Sequence, residues 1–95
     1  MELQKVTTIN LGSELTHETV KLYKPMFERH IPGIEDALTV NCRDLQTLDG
    51  SGLGLLAWAF MKLGVDKKRL ILDNVGGQPL VLLDYLDVTD ILKGG

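Results

Sequence analysis

The chain has 95 residues, of which 44% are apolar and 24% charged, with a formal net charge of −3. That length supports one core rather than two, so residues 1–95 are expected to form a single domain. The mild acidity leaves no basic surplus for nucleic acid or an anionic membrane. The lone Cys42 excludes an intrachain disulfide, and MELQKVTTINL lacks a basic-then-apolar signal pattern. No apolar run reaches the ~18–20 residues of a membrane span, so a cytoplasmic protein without membrane insertion is expected.

Gln4 to Leu11 alternates loosely and reads as a strand, and GSELT then turns the chain. Thr16 reads as a helix N-cap with Glu18 in the first turn. Val20, Tyr23, Phe27 and Ile31 recur at spacings of 3 and 4, which predicts one apolar helix face. Pro25 interrupts that pattern and predicts a kink or an early end, and Ile31-Pro32-Gly33 predicts the stop. Ala37 to Cys42 reads as a short strand, and RDLQTLDGSG links it to a second helix at roughly Ser51 to Leu63. RLILDN is a continuous apolar run suited to a strand buried on both faces. Pro79 fits the first turn of a last helix over LVLLDYL, and DVTDILKGG reads as a short strand or helical turn. Strands alternating with helices predict an α/β domain on a mixed sheet.

The run Asp49-Gly50-Ser51-Gly52-Leu53-Gly54 has the composition of a phosphate cradle but not the spacing. A P-loop needs G-x-x-x-x-G-K-[ST], and the first lysine after this turn is Lys62. Leu55 stands where G-x-G-x-x-G requires its third glycine, and Asp49 and Leu53 stand where G-x-S-x-G requires both of its glycines. His17 and His30 lie thirteen residues apart and, with one cysteine, do not form a metal-ligand pattern. Asp87 and Asp90 read as solvated surface charge. The residues therefore nominate no catalytic group, metal or cofactor, and a small nucleotide-binding enzyme is the weakest of the functional readings. Ser51 reads as the N-cap of the second helix, where free N–H groups and the helix dipole also tolerate a phosphoryl group.

LTVNCRDLQTLDGSGLGLLAWAFMKLGVDKKRLILDN resembles the STAS domain, the fold of bacterial anti-sigma-factor antagonists. The likeness rests on an aspartate followed by S-G-L-G at a strand-to-helix junction, here Asp49 and Ser51 to Gly54. INLGSELTHET resembles the family's first strand and turn, and RLILDNVGGQPLVLLDYLDVTDIL its later elements. The resemblance implies a mixed sheet of four to five strands with helices packed mainly on one face. It also implies a protein-interaction switch or adaptor rather than an enzyme, whose partner is a GHKL-type (histidine-kinase-like) serine kinase acting as an anti-sigma factor. A second role found among STAS domains is an accessory subunit of a phospholipid-transport ABC complex, with the transporter's ATPase as partner. Two positions depart from the family pattern. Gly50 occupies the usual phospho-acceptor position, so either Ser51 or Thr47 is a displaced acceptor or the chain is not phospho-regulated, and Asn41 occupies a position often held by aspartate.

On a helical wheel started at Leu53, Leu56, Ala57, Phe60 and Leu63 fall on the side expected to face the sheet. Leu55, Trp58, Ala59 and Lys62 fall opposite, an unusually apolar outer side. Trp is favoured at binding hot spots, so this side is expected to dock a partner. Asp49, Gly50, Ser51, Gly52, Leu53, Leu55 and Trp58 are the expected partner-binding residues.

Overall fold

The computed structural model describes residues 7–86; the start of the first expected strand, the DVTDILKGG tail, Asp87 and Asp90 lie outside them. The described elements are β1 (Thr8–Asn10), β2 (Glu14–Leu15), α1 (Val20–His30), a 3-10 turn (Ile31–Gly33), β3 (Ala37–Asn41), β4 (Thr47–Leu48), α2 (Gly50–Val65), β5 (Arg69–Asp73) and α3 (Gly77–Tyr85).

The α/β class is as expected, but the described strands form two sheets rather than one. One has the order β1-β3-β5, the other pairs β2 with β4, and every described pairing is parallel. The register sets Ile9 beside Val40 and Val40 beside Leu72, with Leu38 beside Leu70. Because side chains alternate along a strand, these five residues share one face, and all are buried. The other face carries Thr8, Asn10, Thr39, Asn41, Ile71 and Asp73, which are exposed or half-buried. RLILDN is therefore buried on one face, not two, because α2 packs on β5 from that side.

α1 buries Phe27 and packs Val20, Tyr23, Met26 and Ile31 around it, the face predicted from spacing. The helix proper begins at Val20 rather than just after Thr16. Thr16 instead opens a turn in which its carbonyl accepts from the Thr19 and Val20 N–H groups at 2.9 Å each. Pro25 does not end α1, which runs five residues further to His30. Pro25 is exposed, so water can satisfy the Lys21 carbonyl that loses its helical donor.

β2 and β4 fall in the segments whose sequence reads as turn and linker. At two residues each they are too short to show periodicity, yet they place α2. Leu15 is fully buried under α2, and Gly52 lies against its backbone. A Cβ on Gly52 would stand 2.0 Å from the Leu15 carbonyl oxygen and 2.8 Å from Leu48 Cδ1. Gly54 and Gly64, in the same helix, have open space there.

Gly52→Ala is expected to lower stability by about 1–3 kcal/mol, since backbone must move to admit the methyl group. Gly54→Ala is expected to raise it by about 0.5–1 kcal/mol through helix propensity alone. Urea unfolding of the two variants checks both signs.

Candidate functional site

The start of α2 is held from three sides. From β2 and the residue before it, the Ser13 carbonyl accepts from the Thr47 N–H at 3.0 Å, and the Leu15 carbonyl accepts from the Asp49 N–H at 3.3 Å. Leu48 faces the other way, as alternation along a strand requires. Its N–H donates to Gln78 Oε1 at 2.9 Å, and its carbonyl accepts from Gln78 Nε2 at 3.0 Å. The Gln78 amide thus completes the β4 edge as another strand would, and ties α3 to the residue before the turn.

The third support is Asp49. It is the N-cap of α2, and its Oδ1 accepts from the Gly52 N–H at 3.0 Å. Its Oδ2 accepts from the His17 N–H at 2.9 Å and lies 3.1 Å from His17 Nδ1. The carboxylate therefore joins the turn after β2 to the first turn of α2. The cap was expected at Ser51. A carboxylate at position 49 reaches the third helical N–H, so the helix begins at Gly50 and Ser51 becomes its second residue. The Gly52 N–H, and after it the His17 N–H, hold the Asp49 carboxyl down at about 2 from an ordinary 3.8.

Around this anchored backbone, Gly50, Ser51 and Gly54 are exposed, Asp49, Leu53 and Trp58 are half-buried, and Gly52 is buried. Leu55 is also buried, at 5% exposure, so it is not a surface residue. The inner stripe of α2 is Gly52, Leu55, Leu56, Ala59 and Leu63. Leu56 and Leu63 face inward as expected, whereas Leu55 and Ala59 were placed outside. Ala57 and Phe60, placed inside, are half-buried. The helix is apolar nearly all round, so a wheel does not set its phase; the close approach at Gly52 does. Thr47 is exposed, and Gly50 has nothing within 4 Å of where a Cβ would stand.

Asn41, at the C-terminal end of β3, donates through Nδ2 to Asn10 Oδ1 at 2.9 Å. Its Oδ1 accepts from Asn74 Nδ2 at 2.8 Å and from the Arg43 N–H at 3.1 Å. As an amide, Asn41 can donate to one neighbour and accept from two others at once. Sequence reading missed Gln78, His17 and Asn74 as partners, because each contact spans about thirty residues of chain.

Buried Cys42 has its thiol pushed up to about 11, first by burial and then by the Asp73 charge, which makes it a poor nucleophile. Among the described residues no group of three or more His, Cys, Asp and Glu side chains could hold a metal ion, and no helix is long and apolar enough to cross a membrane.

Asp49 titrates lower in the fold than in the unfolded chain, so its charge stabilises the protein above about pH 4. That contribution is lost as pH falls through about 2. Asp49→Asn keeps an oxygen acceptor for the Gly52 N–H but removes the charge. Urea midpoints measured from neutral pH down to pH 2–3 are expected to fall less steeply for this variant than for the wild type.

No family model matches the chain, and no curated protein matches it by sequence. The solved structure of the anti-sigma factor antagonist SpoIIAA in its unphosphorylated form superposes with a TM-score of 0.68 at 23% identity. The match covers 99% of this chain and 96% of that one. With its parallel β-α units and its signature run at the start of α2, the chain has the STAS fold.

Proposed function

We propose that this chain is a protein-interaction switch or adaptor that docks its partner on the exposed first turn of α2 and the solvent side of that helix. The observation that carries this reading is the construction of the turn. Asp49 and Gly52 fix its backbone from below, while Gly50, Ser51 and Gly54 face solvent beside Leu53 and Trp58. A rigid surface of small residues admits close approach of a partner's backbone, and little ordering entropy is lost on binding. Gly52 and Leu55 support the surface from within rather than touch the partner.

The partner of this reading is a GHKL-type serine kinase that acts as an anti-sigma factor. Support comes from the fold shared with SpoIIAA, itself described as an anti-sigma factor antagonist. ATP belongs to that kinase, and no cofactor is assigned to this chain. The chain works as a constitutive adaptor, since Gly50 carries no hydroxyl. One observation favours a switched form: Ser51 is exposed on the first turn of α2, where helix geometry leaves its N–H and that of Gly50 without an intrahelical acceptor. A phosphoryl group there adds roughly −1.5 to −2 charge two residues from the fixed Asp49 carboxylate, enough to repel an acidic partner surface.

Capture from native cell extract on the immobilised chain is expected to recover a GHKL-type kinase. Gly54→Arg is expected to abolish the capture with a melting temperature no lower than that of the wild type, since the site has room for the side chain and arginine is a better helix former than glycine. Recovery of an ABC ATPase instead would move the assignment to transport, and capture indifferent to Gly54→Arg would overturn the surface. Incubation with extract and ATP, followed by mass spectrometry, is expected to leave Ser51 and Thr47 unmodified. Gly50→Ser, which fits the same open space, is expected to become modified at residue 50.

A further inference from the structure

A groove of about 370 Å³ lies between α2 and the end of α1 with its 3-10 turn, lined by Glu28, Ile31, Pro32, Trp58 and Lys62. Trp58 is only half-buried, and Lys24 Nζ stands over its ring, 5.4 Å from the centroid. On α2 the apolar wall continues outward at helical spacing through Met61 and Val65, which are 67% and 80% exposed. A contiguous apolar stripe beside a groove is the surface character of an interface rather than of a solvated helix.

The charges on the walls select the occupant. Glu28 lies on the α1 wall and Lys62 on the α2 wall, both exposed. Among the described residues neither makes a hydrogen bond or ion pair. Lys24, engaged on the Trp58 ring, borders the groove without lining it. Of the two lining charges, a purely acidic occupant would meet Lys62 but be repelled by Glu28, and a purely basic one the reverse. An occupant satisfying both walls carries an anion and a cation in the reversed order, and a second copy of this chain does so. Two-fold pairing brings a residue i against j and j against i. We propose that the Trp58 groove is a two-fold self-association surface. Lys62 of each copy pairs with Glu28 of the other, and the Met61–Val65 stripe of one lies in the groove of its mate. The surface borders the α2 turn through Trp58, and self-association does not depend on the docking reading, because it needs no other protein.

Sedimentation equilibrium of the full chain from micromolar to millimolar concentration is expected to show the mass rising from 10.5 kDa toward twice that value. Lys62→Glu and Glu28→Lys are each expected to weaken association at least about tenfold, and the double exchange to restore it to within about threefold of wild type. Both positions are exposed, so circular dichroism is expected to show both single variants folded. A chain that stays monomeric throughout overturns the proposal, even if a different protein is captured through Trp58. A dimer insensitive to both single exchanges, or not restored by the double one, also overturns it.

Discussion

The contact between α2 and the backbone of β2 is the constraint on which the rest of the site depends. At Gly52 the helix approaches so closely that a single methyl group would collide with the Leu15 carbonyl. That approach sets the rotation of α2 about its axis, hence which of its apolar residues enter the core and which face solvent. It also brings the β2 turn within reach of Asp49, so one carboxylate caps the helix and accepts from His17 at once. Helix phase, cap and turn are linked, because the N–H of Gly52 is bound by the cap while its Cα lies against the Leu15 carbonyl.

The division of labour inside the DGSGLG run follows from the same contact. Asp49 and Gly52 are structural: one satisfies N–H groups of two loops, and the other has no room for a side chain. Gly50, Ser51 and Gly54 lie on the far side of the helix cylinder, with open space around both glycines. A turn held this firmly by its own fold is ordered before any partner meets it. Gln78 adds a third restraint by filling the free edge of Leu48, so that α3, far along the chain, also braces the turn.

Much of the element order was legible from local pattern. The Val20–Tyr23–Phe27–Ile31 spacing described the buried face of α1, since a surface helix with one apolar side declares its orientation. The α2 wheel misplaced Leu55 and Ala59 because that helix is apolar on most sides. The same weakness affected β5, where an apolar run does not distinguish one covered face from two. β2 and β4 escaped notice because two residues carry no period.

From sequence alone followed the α/β class, the position of the signature turn, the absence of P-loop spacing and the missing hydroxyl at Gly50. These depend on residue identity and short spacings, which the chain carries locally. The tertiary structure alone decided that Asp49 rather than Ser51 caps α2, that Leu55 is core, and that RLILDN is buried on one face rather than two. It alone also decided that Trp58 borders a groove with opposite charges on its walls. Each of these rests on contacts between residues distant in the chain, where packing and hydrogen bonding choose among arrangements that local pattern leaves equal.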